Sequence, residues 1–171
     1  CFRRFKFPGE HFHAGAVGCA LANRRGAGME LLLVTQTVFV AAAAVPLFYA
    51  VRRATSSGIA ALSVSTAFLL GAQLHEALDF DFHPELMGFF FVFLASYYLV
   101  AQRPVATIAA LLPLLLLKED IPLILGPFAV LLFVRGFRRE GAVLLAISAA
   151  YTIAIFPVLM PCIRGGSAAS T

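Results

Sequence analysis

The chain has 171 residues, of which 61% are apolar and 13% charged, with a formal net charge of +4. An ordinary soluble domain is about 45–50% apolar and about 25% charged, so this composition excludes a soluble globular domain and points to lipid as the solvent. Disordered, collagen-like and disulfide-scaffold classes are excluded with it, and because the basic residues flank apolar runs as topology signals do, nucleic acid is not expected as a partner.

Residues 1–30 carry Arg3, Arg4, Lys6, Arg24 and Arg25 and read as an external or atypical amino-terminal segment. They show no signal peptide of charged start, apolar middle and small-residue cleavage site. The chain opens on Cys1, which leads to the expectation of a fragment. Cys1, Cys19 and Cys162 are widely spaced and form no Cys-x-x-Cys pair; a disulfide in an oxidising compartment is one reading, and small apolar fillers are at least as good a one.

Six uncharged runs follow: Leu31 to Val51, Ala54 to Leu74, Leu86 to Gln102, Pro104 to Leu117, Ile121 to Val134 and Gly141 to Ile163. A helix needs about 20 residues to cross about 30 Å of hydrocarbon. The first, second and sixth runs meet that length, and the third is a short but acceptable span. Pro104 to Leu117 and Ile121 to Val134 fall short, at about 21 Å each as helix.

Arginine pairs decide how the short runs are arranged, because cytoplasmic loops carry an excess of Lys and Arg. With Arg52, Arg53 and Arg103 inside, one kinked span over 104–134 would leave Arg135, Arg138 and Arg139 outside. A short-armed hairpin at 104–134 keeps them inside, with Lys118, Glu119 and Asp120 at its outward tip. Pro113, Pro122 and Pro127 also argue against one continuous helix. The expected architecture is therefore an all-α polytopic transmembrane bundle of about six segments over 31–164, in a plasma (inner) membrane. It has loops 75–85 and 118–120 external and a small polar tail at 165–171.

The loop His75 to Glu85 reads HEALDFDFHPE. In extended backbone Asp79, Asp81 and His83 share one face, and Phe80 and Phe82 the other. Pro84 restrains His83 toward that geometry and suits the start of the next helix. Three readings stay open: a divalent metal site with Asp79 and Asp81 as oxygen ligands, a general base, and a solvated loop whose charge keeps it outside. Lys118, Glu119 and Asp120 cluster on the same side, on arms so short that they would sit below the outer interface. Charge at that depth needs a cavity or a partner.

Asp81-Phe82-His83-Pro84-Glu85 entering an aromatic-rich span, followed after Arg103 by an apolar run ending Leu117-Lys118-Glu119-Asp120, resembles domain-of-unknown-function family 2079 over roughly Leu31 to Arg164. That family of predicted bacterial membrane proteins looks like a branch of the GT-C glycosyltransferase superfamily. The resemblance implies transfer of a sugar from a polyprenyl-phosphate carrier on the external face. On it, Asp81 is the first candidate base and Glu85 the second, and His83 would orient a carboxylate or donate to phosphate. Lys118 would bind the carrier phosphate, with Glu119 and Asp120 holding a metal or positioning Lys118. Gly9-Glu10-His11-Phe12 matches the start of the family's Gly-x-His-Phe-x-Pro motif, but Ala14 stands where the proline belongs. The superfamily's first span and its acidic loop, the usual place of the catalytic carboxylate, are not found.

Two other classes compete. A transporter or permease fragment would place ionisable groups near the bilayer midplane, where these runs hold little beyond Gln36, Gln73 and hydroxyls. A non-catalytic membrane interaction unit is the third reading. Phe89, Phe90, Phe91, Phe93, Tyr97 and Tyr98 read as lipid-facing and packing surface.

Overall fold

The structure is a computed structural model that describes residues 29–72, 74, 84–117 and 121–154. Among the described residues the secondary structure is entirely helical. α1 (Met29–Thr55) and α2 (Gly58–Leu69) are followed by a 3₁₀ turn (Pro84–Met87) that leads directly into α3 (Gly88–Val100). α4 (Pro104–Leu111) is prolonged by a second 3₁₀ turn (Leu112–Leu116), and α5 (Pro122–Val134) and α6 (Arg138–Ala154) complete the order. Each uncharged run carries one of these helices, with α1 extending past both ends of its run and α6 beginning three residues before its own.

Local chemistry sets the helix ends. Ser57 caps α2, its hydroxyl accepting the Ala60 amide at 3.2 Å. Pro104 and Pro122 stand in the first turns of α4 and α5, where a missing N–H is harmless. α3 and α5 close alike, each on a left-handed residue, Gln102 at φ 59° and Gly136 at φ 88°. The next amide then donates back across the turn, Arg103 to the Tyr98 carbonyl and Phe137 to the Leu132 carbonyl, both at 2.9 Å. This is the hydrogen-bond pattern of a Schellman closure. α1 also gives way to a left-handed residue, Ser56 at φ 57°.

Among the described residues, the stretch Leu31–Thr55 of α1 is the one helix long and apolar enough to cross a membrane, while Gly58–Leu69, Glu85–Val100, Pro104–Leu116 and Pro122–Val134 are apolar but shorter. α2 departs most from its run: it covers 12 residues rather than the whole of 54–74. Charge counting overlooks Ser56, Ser57 and Gly71, uncharged residues that nevertheless interrupt or end a helix.

Ring contacts fix the helix directions. Phe39 of α1 meets Phe90 at 5.8 Å and Tyr49 meets Tyr97 at 6.4 Å, so α1 and α3 run parallel. Phe68, late in α2, meets Phe89 and Phe93, early in α3, so α2 runs the opposite way. Arg135, just past α5, donates from Nη1 to the Leu99 carbonyl near the end of α3 at 3.2 Å. Late in α6, Tyr151 donates to the Leu115 carbonyl at 2.8 Å and Ser148 to the Pro122 carbonyl at 3.4 Å. Segments 104–117 and 121–134 therefore run out and back. Arg52, Arg53, Arg103, Arg135, Arg138 and Arg139 gather at one end of the bundle, and Glu85, Leu117 and Ile121 at the other.

The exterior, more than the interior, departs from the usual soluble pattern. α1 buries Gln36, Val40, Ala43, Pro46 and Ala50, a stripe at steps of three and four, and α2 buries Ala61 and Ser65. Leu99, Leu111, Leu114, Leu125, Leu132 and Leu144 join α3 to α6 in one core. Among the described residues the buried polar ones are Gln36, Ser65, Thr107 and Ser148, while Ile59 (82% exposed), Leu123 (78%) and Val134 (79%) face outward. Alanines and a few polar groups inside beside the leucines, with many large apolar side chains left exposed outside, suit a bundle solvated by hydrocarbon. Several hydroxyls on the helices bond back to their own turn, as Thr35 does to the Leu31 carbonyl at 2.7 Å and Ser96 to the Val92 carbonyl at 2.8 Å, which satisfies them without water.

Candidate functional site

At the end opposite the arginines, the start of α3, the tip of the α4 extension and the start of α5 enclose a cavity of about 450 Å³. Three local features shape it. Pro84 opens the 3₁₀ turn that carries Glu85 and delivers the chain to α3. Gly88 permits close approach, since a Cβ there would stand 3.2 Å from Leu114 Cδ2 and 3.5 Å from Leu117 Cδ1. Leu117 and Ile121 then bracket the tip of the hairpin, the Leu117 amide donating to the Leu114 carbonyl at 2.8 Å and the Leu125 amide to the Ile121 carbonyl at 3.0 Å.

The walls are almost wholly apolar: Phe89, Val92, Phe93, Leu114, Leu117 and Ile124 line them, and Glu85 supplies the carboxylate. Phe89 and Phe93 stack at 6.0 Å, with Phe68 of α2 edge-on behind them. Glu85 is exposed, so its carboxylate keeps contact with solvent at the mouth. A mostly apolar concavity with a single convergent charge has the form of a site for an amphipathic ligand.

Of the residues singled out in the sequence, Glu85 lies on this cavity. Asp79, Asp81 and His83 lie outside the described residues, as do Lys118, Glu119 and Asp120. Among the described residues no group of three or more His, Cys, Asp or Glu is placed to hold a metal ion. The flanks of both acidic segments are described, and they meet: Glu85 follows His83 by two positions, Leu117 and Ile121 enclose 118–120, and all three line the same cavity. Sequence reasoning missed Gly88, Val92, Leu114 and Ile124. Phe89 and Phe93, read as lipid-facing or packing surface, do pack against Phe68 but also wall the cavity. The signal that was available is the glycine after Pro84-Glu85, a residue without a side chain at the head of a bulky aromatic helix.

No curated protein and no solved structure matches the chain. A family profile does match, described as a predicted membrane protein family, DUF2079, and it covers residues 25–171. It spans all six helices together with both acidic segments, and the exposed apolar exterior agrees with its description. The chain belongs to the DUF2079 family of membrane proteins.

Proposed function

We propose that the chain is the core of a GT-C-like membrane glycosyltransferase that uses a polyprenyl-phosphate sugar donor on the external face of the plasma membrane. The observation that carries this reading is the convergence of Glu85 and the flanks of 118–120 on one apolar cavity. An apolar trough with the Glu85 carboxylate on its lining, bracketed by the flanks of the charged segment 118–120, suits the two halves of such a donor, an isoprenoid chain and a phosphate-linked sugar. All six helices would lie in the membrane over 31–164, the shorter ones tilted or partly inserted. The arginine end would face the cytoplasm and loops 75–85 and 118–120 the exterior.

In the proposed reaction the Asp81 carboxylate takes the proton of an acceptor hydroxyl as that oxygen bonds to the anomeric carbon of the sugar. The bond from that carbon to the carrier's phosphate oxygen breaks, and the electron pair leaves with polyprenyl phosphate. Attack from the far side inverts the anomeric centre. Lys118 balances charge on the departing phosphate as a point cation, and His83 orients a carboxylate or donates to phosphate. Glu119 and Asp120 position Lys118, and Glu85 stands in reserve as a second base.

Reconstitution of the full-length protein with labelled polyprenyl-phosphate sugars tests this. Transfer should fall by about 10²-fold or more in Asp81→Asn, the usual worth of a positioned base, and comparably in Lys118→Ala. Unchanged transfer in both variants would overturn the assignment.

A further inference from the structure

A second groove lies at the arginine end, between α4 and α6, with a volume of about 390 Å³. Val105, Ile108 and Leu112 form one wall, at helical steps along a single face of α4 and its extension, and Val143 of α6 forms the other. Arg139 and Glu140, both in the first turn of α6, close the end of the groove. Val105 is 70% exposed and Val143 51% exposed, so the groove opens sideways.

Two chemistries therefore stand in series. An apolar trough about 10 Å long, from Val105 to Leu112 at 1.5 Å per residue, leads to a basic mouth. α4 and α6 both begin at that mouth, preceded by Arg103 in one case and starting with Arg138 in the other. The positive ends of two helix dipoles add to Arg103, Arg138 and Arg139, against the single carboxylate of Glu140. A free phosphate would use the mouth alone and a neutral lipid the trough alone. We infer that this groove binds an anionic phospholipid, its acyl chain along Val105, Ile108 and Leu112 and its headgroup phosphate on Arg139. This site is separate from the cavity at Glu85 and does not depend on the glycosyltransferase reading.

The test is titration of the purified full-length protein in detergent with phosphatidylglycerol and with phosphatidylcholine, followed by thermal shift and by native mass spectrometry. Phosphatidylglycerol should raise the melting temperature saturably and remain bound in the gas phase, and phosphatidylcholine, whose trimethylammonium group cancels its phosphate's charge beside the arginines, should do both much more weakly. Arg139→Gln should weaken apparent affinity about fivefold, the worth of one basic residue near anionic lipid, and the paired change Arg52→Gln, Arg53→Gln much less. Ala109→Phe, at an exposed position lining the trough, fills the groove without touching any charge and should weaken binding similarly. Equal response to the two lipids, equal loss on removing Arg52 and Arg53, or full binding by Ala109→Phe would each overturn the inference.

Discussion

Gln102 and Gly136 occupy equivalent places in two nearly identical closures, and only one of them is the residue that a left-handed backbone prefers. A Cβ in that conformation costs about 1 kcal/mol. Gly136→Ala should therefore lower the melting temperature in detergent, and Gln102→Gly should raise it slightly, by less than the full 1 kcal/mol because glycine also loosens the unfolded chain. Ser65 provides a second test at this scale. Its hydroxyl is buried with no hydrogen-bond partner among the described residues, so Ser65→Ala removes a desolvated donor and should be neutral or stabilising by up to about 1 kcal/mol. A clear loss of stability would mean that the hydroxyl is satisfied from elsewhere. Neither feature was legible in the sequence. A serine or glutamine looks the same whether its backbone is left-handed or its hydroxyl orphaned, because both properties come from neighbours.

Elements were more legible than their boundaries. Gaps between charges located all six helices because ionised side chains are the costliest groups to place in hydrocarbon. The same count overestimated α2, because Ser56 and Ser57 break a helix without carrying charge. The hairpin at 104–134 followed from arginine parity and the prolines, and Arg135 ends beside α3, its guanidinium bonded to the Leu99 carbonyl at the helix's carboxyl end. What parity could not supply is how the arms pack. α4 lies mainly on α3, and α5 lies mainly on α6. At the α5–α6 contact a Cβ on Gly141 would come within 3.0 Å of Phe133 Cδ2 and 3.1 Å of the Ala129 carbonyl. Gly141→Val should separate that pair at a cost of about 1–3 kcal/mol, read as a lower unfolding midpoint, whereas Gly126→Ala, with open space around it, should not.

At the scale of the molecule, the two acidic segments are 33 positions apart in sequence, from Glu85 to Lys118, yet Glu85 and the flanks of the second share one cavity. The chemistry of each segment could be read separately from its residues. Their meeting could not, because it depends on Gly88 admitting Leu114 and on three helix directions. Sidedness is testable on the full-length protein: cysteines placed at residues 80 and 137, in a background without native cysteine, should react with impermeant reagents from opposite faces of sealed vesicles. Labelling of both from one face would refute the orientation.

The bonds from Ser148 and Tyr151 carry a consequence for the order of events during synthesis. The described lining of the cavity ends at residue 124, but Tyr151, which grips the Leu115 carbonyl, and Ser148, which reaches the Pro122 carbonyl, emerge later from the ribosome. α6 thus acts as a clasp on a chamber whose described walls precede it. A nascent chain halted after Phe137 would hold every described lining residue and lack both of these bonds.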